Sequence, residues 1–163
     1  MRWIGAVMAT AIVGASGMAH AHGDAPRAEK AGSVAKEQKP WGIAGDAGAA
    51  VRTIEIRMHD EMRFSPETIS VREGDTLRLV MKNTGKLVHE LVIGTKRDLD
   101  EHAALMARFP EMEHDEPYMA HVLPGRTGAV IWTFNRAGSF EFACLVAGHY
   151  EAGMRGKIHV APR

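Results

Sequence analysis

Gly138–Val160 reads GSFEFACLVAGHYEAGMRGKIHV. Phe140 and Phe142 alternate with polar neighbours, the period of a half-buried strand. Cys144 follows at the strand's end. Four residues separate it from His149, and four more separate His149 from Met154. Gly148 and Gly153 free the intervening loop to curl, and Lys157–Val160 carries the chain away as a second strand. A strand, a tight loop and a returning strand therefore present a thiol, an imidazole and a thioether to one point.

The rest of the chain repeats the strand texture of this segment. VRTIEIRM from Val51, TISVREGD from Thr68, TLRLVMKN from Thr76, HELVIG from His89 and TGAVIWTF from Thr127 are short β-rich runs. Phe64-Ser65-Pro66, Gly74-Asp75 and Asn83-Thr84-Gly85 punctuate them as turns. About seven such runs predict an all-β, antiparallel sandwich or barrel. Residues 97–123 interrupt it. Leu99, Ala103, Met106 and Phe109 have near-helical spacing, Asp98 or Asp100 is placed to cap a helix start, and Pro110 to stop it. One short helix within an irregular excursion is expected there.

Upstream, residues 22–50 are rich in Ala, Gly and charge without an apolar period, the composition of a flexible arm whose end Trp41 and Ile43 pin to the domain. The domain proper is expected over residues 51–163. Residues 1–21, MRWIGAVMATAIVGASGMAHA, combine Arg2, a short apolar run and the small-x-small triplet Ala19-His20-Ala21. That is the pattern of a cleaved secretory leader, and the apolar run is short for a bilayer span. An exported chain with no membrane span after cleavage is expected. Lys+Arg and Asp+Glu both number 20, so the formal charge is zero, which argues against a nucleic-acid partner.

Cys144 is the only cysteine of the 163 residues, so no internal disulfide is available to it. A metal ligand, a nucleophile paired with His149, and an inert buried thiol are the alternatives. The hydrolase reading leaves Met154 and an upstream histidine unexplained. A thiolate and two imidazoles with a weak thioether suit copper in both oxidation states, because Cu(I) favours sulfur and Cu(II) favours nitrogen. The loop supplies one histidine. His89, at the start of the strand HELVIG just after the Asn83-Thr84-Gly85 turn, is the best candidate for the second.

FEFACLVAGHYEAGMRGKI resembles the copper loop of the cupredoxins, the family of plastocyanin, pseudoazurin and azurin. FSPETISVREGDTLRLVMKNTGKLVHELVIG resembles their N-terminal half, including the first histidine ligand, and the resemblance spans about residues 51–161. It implies a Greek-key β-sandwich, one type 1 copper, no substrate turnover, and His89, Cys144, His149 and Met154 as the ligands. The ligand spacing, the Met/His-bearing excursion and the exported arm look closest to periplasmic cupredoxins linked to copper tolerance. Glu90 departs from the pattern: many cupredoxins carry Asn or Ser after the first histidine, so tuning around the thiolate is expected to differ.

The excursion also holds His102, Met106, Met112, His114, Met119 and His121, donors for a possible weaker second copper site. His22, the first residue after cleavage, is a further chelator through its amino group and ring. His59 and His159 fall in strand-like runs as polar-face residues. Two roles remain on these grounds: periplasmic copper handling, toward which the Met/His segment tilts the reading, and a soluble one-electron carrier serving a redox partner protein. An enzyme is disfavoured because protein fills all four ligand positions.

Overall fold

The computed structural model describes residues 36–112 and 114–163; the leader and His22 lie outside them. The strands are β1 (Ile43–Ala44), β2 (Arg52–His59), β3 (Arg63–Ser65), β4 (Thr68–Arg72), β5 (Asp75–Asn83), β6 (His89–Gly94), β7 (Met119–Val122), β8 (Thr127–Phe134), β9 (Gly138–Ala143) and β10 (Arg155–Ala161). The one α-helix among the described residues, α1 (Lys96–Arg108), lies between β6 and β7. One sheet has the order β1-β8-β5-β2-β3 and the other β4-β10-β9-β6-β7. The expected β-sandwich with one helical excursion is what the chain forms.

Its core is the alternation read from sequence. Ile56, Met58, Leu77, Leu79, Met81, Val130, Trp132 and Phe134 from the first sheet meet Ile69, Val71, Leu91, Ile93, Phe140, Phe142, Ile158 and Val160 from the second. Each such side chain contributes about 1.5–3 kcal/mol on leaving water.

Three details differ from the sequence-based expectation. The described residues form ten strands rather than about seven, because two- and three-residue edge strands such as β1 and β3 are too short to show a period. Two pairings, β2 with β5 and β4 with β10, are parallel rather than antiparallel. Parallel neighbours need a connection that leaves the sheet and returns, and β4, in the other sheet, supplies it between β2 and β5; alternation alone says nothing of strand direction. The helix is capped by Thr95, whose hydroxyl accepts from the Asp98 amide, not by Asp98 or Asp100, and Phe109 is 51% exposed just beyond its end. The pinning role of Trp41 and Ile43 is seen directly: Trp41 is 5% exposed, its carbonyl accepts from Trp132 Nε1, and Ile43 pairs with Thr133.

β6 is buried on both faces, and this positions everything that follows. His89, Leu91 and Ile93 alternate with Glu90, Val92 and Gly94. Leu91 and Ile93 join the sandwich core, whereas Val92 joins Leu99, Ala103 and Met106 of α1, with Met119, Ala143, Leu145 and Tyr150, in a second cluster on the outer face. No helix among the described residues is long and apolar enough to cross a membrane.

Candidate metal centre

The β9–β10 ladder runs one step past its strands, where the Cys144 amide donates to the Met154 carbonyl at 3.1 Å. The loop between them closes on itself: His149 N donates to Val146 O, Met154 N to His149 O, and Ala152 N to Gly148 O. Gly148 and Gly153 hold φ of +86° and +96°, a region costly for residues with a Cβ. The loop therefore turns tightly enough to fold His149 back over Cys144.

His89 arrives from the neighbouring strand. Asn83 organises the turn before it: Nδ2 donates to the Leu87 and Val122 carbonyls, and Oδ1 accepts from the Gly85 amide. Gly85 is needed there, since a Cβ would run into the Asp60 carboxylate.

The result is one cluster. A nitrogen of His89, Cys144 Sγ and a nitrogen of His149 all lie within 4.8 Å of one another. His149 Nδ1 is 3.3 Å from Cys144 Sγ, and the two histidine ring centroids are 5.0 Å apart. Ligand atoms bonded to one ion at about 2.0–2.3 Å stand at such mutual distances. Met154 is fully buried in the core cluster that contains Cys144. His149 keeps 9% exposure, and His89 and Cys144 none.

The electrostatics call for a cation. Burial pushes the Cys144 thiol up to about 12, so only a strong positive partner holds the thiolate. Burial, and then the neighbouring His89, keep His149 below the usual histidine range and so neutral, the form that ligates. His89 Nε2 lies 3.1 Å from Asp60 Oδ1. A carboxylate only accepts, so Nε2 carries the proton and Nδ1 the lone pair. That Nδ1 is buried without a hydrogen-bond partner. Such an orphan costs about 1–3 kcal/mol unless something else engages it, and a metal ion is what the donor set fits. Asp60 is itself held below the usual carboxylate range, first by the Lys86 amide.

Glu90 shows what its departure from Asn or Ser builds. Its amide donates to Cys144 Sγ at 3.4 Å. Its fully buried carboxylate accepts from the Leu145 amide through Oε1 at 2.8 Å, and Oε2 lies 2.6 Å from His121 Nε2. Asp60 is the functional neighbour that sequence reasoning missed. It lies 29 positions before His89, in a turn with no motif around it.

Of the excursion's donors, the structure gathers the three histidines. The rings of His102 and His114 are 4.6 Å apart, and those of His114 and His121 5.7 Å. His114 Nε2 is buried without a partner. Met106 and Met119 pack in the outer-face core instead, and Met112 stands apart, exposed. His59 bonds the Thr84 hydroxyl and His159 that of Ser139, as polar-face residues do.

Known proteins similar to this chain are copper proteins. The chain is 47% identical over 142 residues to the copper-resistant cuproprotein CopI of Rubrivivax gelatinosus, covering 86% of this chain and 84% of that protein. It is 34% identical to a protein of the same name from Pseudomonas aeruginosa, covering 75% and 83%. Among solved structures, a reduced auracyanin from Roseiflexus castenholzii superposes with a TM-score of 0.60 at 24% identity, covering 69% of this chain and 99% of that one. Auracyanin B gives 0.61 at 21% identity, covering 74% and 95%. Residues 51–161 match the model of the copper binding proteins of the plastocyanin/azurin type, and the chain belongs to that family.

Proposed function

We propose that the protein is an exported cupredoxin of periplasmic copper tolerance, holding a type 1 copper through His89, Cys144, His149 and Met154. The carrying observation is the convergence of three ligand atoms within 4.8 Å around a buried, unpartnered His89 Nδ1. His89 and His149 supply imidazole nitrogen, Cys144 thiolate, and Met154 a weak thioether. Asp60 fixes the His89 tautomer, and the closed loop excludes water from the sulfur. Bound copper would supply a one-electron couple. With four protein ligands no position is left for a substrate, so turnover at this centre is not part of the reading. The tolerance role is supported by the names of the two relatives, each matched over more than four-fifths of its length. Export is supported by the composition of residues 1–21.

A second, weaker copper site at His102, His114 and His121 belongs to the same reading, supported by the close approach of the His114 ring to the other two and by the partnerless His114 Nε2. Copper titration should bind more than one equivalent, and replacing the three histidines by Asn should remove the extra one while the visible band survives. A deletion strain should be copper-sensitive with normal respiratory electron flux. Lost flux with unchanged copper sensitivity would instead favour a soluble electron carrier. Leu87, Val88 and Leu123, exposed apolar residues next to His89 and its partner Val122, are the feature that favours that second reading.

A further inference from the structure

Glu90 and His121 are cross-strand partners on β6 and β7, on the face opposite His89. The same residue that gives its main-chain N–H to Cys144 Sγ thus sends its side chain to the other side of the sheet. There Oε1 accepts from Leu145 N, the residue after the thiol, and Oε2 faces His121 Nε2. The carboxylate is fully buried; the Leu145 amide is hydrogen-bonded to Oε1, whereas Oε2, beside the His121 ring, has no hydrogen-bond partner. Nε2 is the His121 ring atom turned toward the carboxylate. Asp60 stands to His89 in the same relation. Carboxylates so placed orient metal-binding imidazoles and raise their basicity.

We propose that Glu90 is a positioning residue coupling the His102–His114–His121 cluster to the Cys144 centre. The proposal rests on the second-site reading above. A cation on the imidazoles draws the Glu90 carboxylate toward His121, which loosens its hold on the Leu145 amide. The Glu90 N–H that meets the sulfur belongs to the same residue, so the thiolate environment changes with it. The coupling is reciprocal: the state of the Cys144 centre alters the cluster's affinity by the same factor.

Zn(II) is the probe, because it is colourless and, in the order of divalent affinities, does not displace Cu(II) from a site already loaded. Full-length protein carrying one equivalent of Cu(II) is titrated with Zn(II), following heat and the visible thiolate band together. The Leu145 amide resonance is followed in parallel on protein carrying Cu(I). Wild type should bind zinc with a saturable change in both band and resonance. His102→Asn, which leaves the Glu90 contacts in place, should keep the zinc-free band and lose the response. Glu90→Gln should keep its copper, bind zinc about 10–100-fold more weakly, and at saturation show less than half the wild-type band change, measured from its own zinc-free band. His121→Gln tests the link from the other end should Glu90→Gln fail to fold, and it too should lose the response. Zinc bound without any band or Leu145 change overturns the coupling alone. A full wild-type response in Glu90→Gln or His121→Gln overturns the role of Glu90. No zinc bound by wild type overturns the second-site reading, and the coupling with it.

Discussion

The inner and outer faces of β6 carry two histidine clusters built by different means. On the inner face His89 meets Cys144 and His149, all but closed to water, their ligand atoms within 4.8 Å of one another. On the outer face His114, from a loop, meets His102 of the helix and His121 of a strand, with ring centroids 4.6 and 5.7 Å away. Each is backed by a carboxylate at an Nε2: Asp60 behind His89, Glu90 behind His121. What separates them is preorganisation. The inner cluster hangs on a closed loop and two paired strands, so little is left to order when a ligand arrives. The outer one takes His114 from outside any helix or strand, so less of its backbone is fixed by a ladder and affinity is lower.

Cys144→Ser should break the comparison most. It removes the only soft anion of the inner cluster, so the visible charge-transfer band of the copper-loaded protein should vanish while circular dichroism stays that of a sandwich. The outer cluster, which has no sulfur, should still bind zinc. A retained band would show that Cys144 is not the ligand.

Asp60→Asn comes next. Asn keeps one oxygen, for the Lys86 amide at Oδ2 or for the Leu87 amide at Oδ1 but not for both, and with Oδ1 replaced by NH2 it no longer enforces the His89 tautomer. Copper affinity at the inner centre should fall about 10–100-fold, measured by competition with a chelator, with zinc binding at the outer cluster unchanged. Met154→Leu should act more gently. The side chain is apolar, fully buried and close in volume to Leu. Copper should stay bound with a changed reduction potential and spectrum, and complete loss of binding would show that Met154 builds the site rather than tunes it.

The same contrast explains what was legible in the sequence. Cys144, His149 and Met154 sit on one loop whose spacing and glycines can be read directly, and the alternation of Phe140 and Phe142 announces the strand that delivers them. His89 was reachable because a turn marks its strand's start. Asp60 was not, because its contact with His89 depends on how two loops at one end of the sandwich meet. Glu90 stood out as a residue type, but its partner His121 follows only from the β6–β7 register. Thr95 was passed over as the helix cap because Asp98 and Asp100 compete for that reading in sequence. Directions of pairing were hidden for the same reason: β2 beside β5 is a property of the connection, not of either strand's composition.

The smallest expected effect lies where the two faces are tied together. Tyr150, next to His149 on the ligand loop, donates its hydroxyl to Asp100 of α1 at 2.6 Å. Burial and then this bond push the phenol up to about 12, so it remains a donor at any ordinary pH. Asp100 is held below its ordinary value of 3.8, first by Lys96 and then by Tyr150. A carboxyl depressed in the folded state stabilises the fold above its ordinary value and loses that contribution as pH falls through the lowered one. Tyr150→Phe keeps the ring against Leu145 and Met106 and removes only the hydrogen bond. Its melting temperature at pH 6 should lie a few degrees below wild type, and the gap should narrow on titration below pH 3.8 as Asp100 protonates in both proteins. Colour should not change, since no inner ligand is touched. A gap independent of pH would mean that ring packing alone carries the tie, and a changed band would mean that α1 positions His149 as well as covering it.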